Sequence, residues 1–364
     1  MTFTAPQLPA TQPLGPQELA PADYLRRMPK IELHCHLEGS VPVETARKLA
    51  RRNNITLPSD DPDALYRFAD LEEFLITYQA VSRSMVSAAD FALVAYDCLA
   101  EASKAGNLRY REMAFNPTNH PDLSYRDMLA GLTDGLSAAA TDFGVDCRLI
   151  VAVNREHSPG AAADLLRTVA AHRSDHIVGV GLDHNELVGP PEAFQEAFAI
   201  AARLGLHRTA HSGERGDHAE ITTCIDVLGV ERIDHGYAVL DAPAEVRRSI
   251  DAGIHYATCW ETALFHVGGE VSRSRIGDMI ESGLSVSISS DDPPMLHTDI
   301  GTEYVRAGAH LGWTVADAEQ CVLDAVDATF LAAGERAALR SRLVAELAEF
   351  RSAASATAAP PVES

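Results

Sequence analysis

The sequence predicts an α/β chain folded as a closed (β/α)8 barrel, with an extra helical insertion after the first strand. Three observations carry this expectation. Eight short apolar runs alternate with longer amphipathic stretches, as strands and crossover helices do in a parallel barrel. Most of the runs are rich in Val, Ile and Leu without polar alternation, the pattern of strands buried on both faces. The 257 residues from His34 to Asp291 match the ~250 typical of eight strand–helix units.

Taken in order, the first candidate strand is Lys30–His36. About seventy residues separate it from the second strand, Leu108–Phe115. That is far more than one crossover helix needs. Within it, 70–78 and 88–102 read as helices, and insertions after barrel strands commonly form a lid over the open end. A helix over 125–143 follows, then a strand at 147–153 and a helix over 160–172. The strand at 177–182 and a helix over 191–204 complete the fourth unit. Strands at 207–211, 232–235 and 254–258 follow, then a helix over 271–282 and a last strand at 284–289. Pro293-Pro294 end that strand abruptly, because proline removes a ladder donor. One catalytic domain is expected over 22–351. It is flanked by a flexible lead-in (1–21) rich in Pro, Thr, Gln and Ala, and by a flexible Ala/Pro/Ser tail (352–364).

Composition narrows the function. The chain has 364 residues, 46% of them hydrophobic, enough for a large core. No apolar run approaches the roughly 20 residues of a membrane span. A net charge of -22 repels polyphosphate, so nucleic acid and anionic membrane are not expected partners. A neutral or cationic small molecule is compatible. Six cysteines are spread singly without CxxC spacing, which argues against a disulfide framework and for a reduced, cytoplasmic setting. The oligomeric state is left open, a homo-oligomer included.

Ligand-type residues recur at the strand ends. His34 and His36 sit two apart on a candidate strand, so both project to one side while Cys35 faces away. His211, His235 and Asp291 also end candidate strands, and all such ends converge on one rim of a barrel. Core packing does not explain this, because an unpaired buried polar group is costly. Three histidines and a carboxylate form a nitrogen- and oxygen-rich set suited to zinc. Glu214 lies three residues past His211 and could hang over the metal as a proton carrier. His235 could be a further nitrogen ligand or a base. Of the Asp291-Asp292 pair, one carboxylate can bind metal while the other makes a hydrogen bond. The three lysines, Lys30, Lys48 and Lys104, all precede the fourth strand. A carboxylated lysine bridging two metals is therefore not expected, and one metal is favoured.

These pieces together resemble the adenosine/adenine deaminase family of metal-dependent barrel hydrolases. The matching segments are Pro29–Ser40 (PKIELHCHLEGS), Phe68–Leu75 (FADLEEFL), His211–Glu214 (HSGE), Arg232–Gly236 (RIDHG) and Ser289–Pro293 (SSDDP). They stand in the family's order across roughly residues 28 to 340. The resemblance implies one zinc held by His34, His36, His211 and Asp291. It implies that His235 takes a proton from the attacking water and that Glu214 protonates the purine ring nitrogen beside C6. It also implies that Asp292 contacts the imidazole-side nitrogen. The expected reaction is hydrolytic deamination of adenosine or a related 6-aminopurine nucleoside. The alternatives are free adenine and 6-aminodeoxyfutalosine. Three departures bear on the substrate. Glu38 replaces the usual aspartate that faces the ribose 5' hydroxyl, and its longer side chain is expected to reach into the pocket. His184 stands where the family has a glycine, so its ring must point away or narrow the pocket. Trp260 and Phe265 are expected to add apolar bulk near the mouth.

Overall fold

The structure is a computed structural model that describes residues 20–266 and 270–358. Eight parallel strands follow one another around a barrel: β1 (Lys30–Glu32), β2 (Leu108–Phe115), β3 (Asp146–Asn154), β4 (Ile177–Asp183), β5 (His207–Ser212), β6 (Arg232–His235), β7 (His255–Cys259) and β8 (Ser285–Ser289). Each strand pairs with the next in parallel register, and helices fill the crossovers. This is the TIM-barrel arrangement the sequence predicts. Strand residues such as Val151, Val180 and Ile233 are fully buried, as apolar runs covered on both faces must be.

The seam between β8 and β1 differs from the expectation. The first strand was expected to run to His36, but its ladder stops at Glu32. Beyond it, closure rests on an isolated bridge between Cys35 and Asp291. The His36 amide donates to the Asp291 carbonyl (3.0 Å), and the Asp291 amide donates to that of His34 (3.2 Å). The Leu33 and His34 amides lean instead on the Ser289 hydroxyl (3.4 and 3.2 Å). A side-chain acceptor thus replaces a ladder carbonyl, and regular pairing ends there.

Charges line the closed end of this seam. Glu32 is fully buried. Its Oε2 lies 2.5 Å from Arg111 of β2. Its Oε1 accepts from the Ser290 amide (2.7 Å) and the Ser290 hydroxyl. Arg232 of β6 pairs with Glu112 of β2 across the barrel at 2.7 Å. Buried charges persist only when partnered in this way.

The insertion after β1 contains two helices, Leu71–Arg83 and Ala88–Gly106. Asp70 and Ser87 cap their first turns by accepting from the Glu73 and Asp90 amides, as N-cap side chains do. The first helix runs five residues beyond the expected end at Tyr78. The stretch expected as one helix over 191–204 splits into a 3-10 turn, Pro191–Phe194, and a helix, Gln195–Arg203. The last helix, Ala333–Ala358, continues past Ser352, where the tail was expected to begin. Residues 1–19, most of the expected lead-in, and 359–364 lie outside the described residues. Among the described residues, no helix is long and apolar enough to cross a membrane.

Candidate active site

The C-terminal ends of β1, β5, β6 and β8 bring five side chains to one point. One ligand atom each from His34, His211, His235 and Asp291 lies within 4.8 Å of the others. His36 joins them: its Nε2 is 3.1 Å from His211 Nε2 and 3.3 Å from Asp291 Oδ1. His34 Nε2 is 3.1 Å from that same oxygen. The backbone bends to achieve this. His235 and Asp291 hold left-handed φ values of 70° and 60°, a costly conformation that clusters at functional sites.

The ring orientations are fixed from behind. His34 Nδ1 is 3.3 Å from the Ala257 carbonyl, and His211 Nδ1 is 3.2 Å from that of Leu182. Each Nδ1–H donates there, which leaves the Nε2 lone pairs facing the shared centre. Asp234 lies behind both rings, 3.9 Å from His34 Nδ1 and 3.8 Å from His211 Nδ1. Asp183 stands behind His36 at 3.7 Å.

The electrostatics suit a cation. Burial, then the neighbouring His34, His36 and His235, holds His211 well below the usual imidazole range. Burial alone would push Asp291 up, but His34 and His36 hold it well below the usual carboxylate range. Burial lowers His34 and His36, but Asp291 and the neighbouring carboxylates outweigh it and raise both, His36 to about 10. Three imidazoles packed on one ionised carboxylate form a nitrogen and oxygen donor set that fits a divalent metal, which would take the place of those protons.

A cavity of about 530 Å³ opens above this cluster, lined in part by Tyr78, His184, Glu214, His235 and Asp292. Glu214 Oε2 is 3.9 Å from His235 Nε2, and its Oε1 has no hydrogen-bond partner among the described residues. Burial, then Glu186 and Asp291, raises Glu214 well above the usual carboxyl range. Burial, then Asp291, pushes Asp292 up to about 7. Gly39 is required beneath it, because a Cβ there would overlap the Asp292 carboxylate.

The structure thus gathers His34, His36, His211, Glu214, His235, Asp291 and Asp292 at one site. Cys35 faces away onto the Ser40 hydroxyl (2.9 Å). His184 adopts a φ of 71°, the backbone of a glycine. Its ring turns into the cavity, with Nδ1 2.9 Å from Asp183 Oδ1 and its centroid 6.4 Å from that of Tyr78, the two rings perpendicular. It narrows the pocket.

Two expectations are corrected. Glu38 does not reach into the cavity. It is fully buried behind the wall, where its Oε1 accepts from the Asn116 amide (2.8 Å) and pairs with His120 (3.2 Å). These donors capture Oε1, while the buried Oε2 has no hydrogen-bond partner among the described residues. Trp260 does not line the mouth either. It is fully buried against His310, with ring centroids 5.0 Å apart, because β7 runs straight into the helix that carries it. The Phe265 side chain lies outside the described residues. The sequence reading missed Asp234, Asp183 and Glu186. The acidic neighbours of His235 and His184 in the chain were the available signal for the first two.

The family model described as Adenosine deaminase matches residues 29–346. A curated relative from Streptomyces coelicolor, named adenine deaminase, is 35% identical over 337 residues, covering 91% of this chain and 98% of its own. Among solved structures, a zinc-bound amidohydrolase from Burkholderia ambifaria superposes with a TM-score of 0.85 at 29% identity, covering 92% of this chain and 94% of its own. An adenine deaminase from Arthrobacter aurescens gives 0.82 at 29% identity, covering 89% and 99%.

Proposed function

The chain belongs to the adenosine deaminase family, hydrolases of C–N bonds in cyclic amidines, and from that premise we propose that it deaminates free adenine. The products are the 6-oxopurine and ammonia. The placement of Glu38 carries the choice of base over nucleoside. The side chain that the resemblance aims at a ribose hydroxyl is instead engaged behind the pocket wall, so it is not offered to a sugar. The relatives named adenine deaminase support the same choice.

We assign one zinc to His34, His36, His211 and Asp291. When bound there, it supplies a Lewis acid and makes a water acidic near neutral pH. The chain's own groups do the rest. His235 stands between Asp291 and Glu214, 3.9 Å from each, and takes a proton from the attacking water. Glu214, whose proton is held by burial well above the usual carboxyl range, donates to the ring nitrogen beside C6. The water oxygen becomes the 6-oxo group, the Glu214 proton stays on the ring nitrogen, one water proton leaves with the amino nitrogen as ammonia through His235, and the other returns to Glu214. Asp292, raised to about 7, can donate to the imidazole-side nitrogen. His184 and Tyr78 flank the ring and limit what extends beyond it. Six cysteines, all buried and unpaired, support a reducing, cytoplasmic setting.

The test is ultraviolet monitoring of zinc-loaded protein against adenine, adenosine and 6-aminodeoxyfutalosine. Adenine is expected to exceed both nucleosides in kcat/KM by at least about tenfold, since filled space and mispaired polar groups discriminate on that scale. Equal or faster turnover of either nucleoside would overturn the choice.

A further inference from the structure

The loop after β4, Asp183 to Gly189, meets the loop after β5 over the site. One carboxylate bonds them together. Glu186 Oε1 accepts from the Glu214 amide at 3.2 Å. Its Oε2 accepts from the amides of Glu214 (3.1 Å), Arg215 (2.9 Å) and Gly216 (2.8 Å). Three consecutive amides converging on one anion form a nest, and such charge-assisted bonds are the strong ones. Glu186 is itself held firmly. The Leu187 amide bonds the Asn185 side chain (3.1 Å), and the Val188 amide bonds the Asn185 carbonyl (3.1 Å). Gly189, at φ 61°, packs against the Arg155 backbone where no Cβ fits.

The other side of this clasp is the proposed proton donor. Because Glu214 Oε1 has no hydrogen-bond partner among the described residues and Oε2 lies 3.9 Å from His235, its aim depends on its backbone. In low dielectric, a second anion opposes ionisation of Glu214, while the same charge strengthens the hold on the three amides beyond what a neutral acceptor gives. The charge becomes useful if the group it holds must keep its proton.

We propose that Glu186 is a positioning residue for Glu214, clasping the 214–216 backbone so that the acid faces the purine ring. This rests on the deaminase reading above. It is tested with Glu186→Gln and Glu186→Asp in zinc-loaded protein. Removing the charged acceptor is expected to speed hydrogen exchange at the Arg215 and Gly216 amides by at least about tenfold. The kcat for adenine is expected to fall at least about tenfold in Glu186→Gln, while KM shifts by less than about threefold, as when an interaction made in the transition state is lost. Zinc per chain stays at the wild-type level, and Glu186→Asp recovers part of kcat. Wild-type exchange together with wild-type kcat in Glu186→Gln would overturn the proposal, as would a loss confined to KM. A wild-type protein inert toward adenine would instead sink the substrate reading, and the exchange measurement would still judge the clasp. If Glu186→Gln does not fold, Glu186→Asp carries both measurements.

Discussion

Glu214 stands among like charges, with Glu186, Asp291 and Asp292 raising its pKa and Arg215 lowering it. Burial is the largest cause, and the sum holds the acid well above the usual carboxyl range. The sign for activity follows. The donor is the protonated form, so its contribution to the rate declines as pH rises through the Glu214 pKa, while protonation of the base His235 sets the acid limb. Glu214→Gln retains the shape but cannot give up a proton. It is expected to lower kcat at least about a hundredfold, in line with general acid contributions, with zinc content unchanged by metal analysis. Its residual rate is also expected to lose the alkaline decline seen in the wild type. Near-normal turnover in the variant would remove Glu214 from the mechanism.

At the scale of elements, the barrel is joined where its first and last strands meet. Glu32 of β1 holds Arg111 of β2 and the Ser290 amide after β8 together. Glu32→Ala leaves the Arg111 guanidinium buried without its partner. Breaking such a pair costs about 3–5 kcal/mol, so urea unfolding is expected to show a loss of that size. A change under about 1 kcal/mol would show the pair to be incidental. The strands were legible in the sequence because burial on both faces leaves continuous Val, Ile and Leu. Helices such as Tyr125–Phe143 were legible because their caps and apolar stripe are local. The end of β1 was not, because Ser289, 255 or more residues away, supplies the acceptor that interrupts the ladder. His34, His36, His211, His235 and Asp291 were legible because strand ends share one rim. Glu38 and Glu186 were not, since each is defined by amides from distant loops.

For the whole molecule, the imidazole and carboxylate cluster ties β1, β5 and β8 through ligands that no short segment contains. An ion that binds only the folded chain stabilises it by mass action, by about 2.7 kcal/mol at a hundredfold excess over Kd. Chelation is therefore expected to lower Tm by about 3–5 °C for a chain of this size, and added zinc to restore it. His34→Ala should bind less zinc and lose this difference. Identical Tm values with and without chelator in the wild type would contradict the assignment. The wide separation of His34 from Asp291 also sets an order in time. At about 5–20 residues per second, a ribosome needs on the order of 10–50 s to go from one to the other. Until the last strand emerges, the nascent polypeptide has no complete site to capture a metal or attack a base, and any message cut short before β8 yields a chain without catalysis.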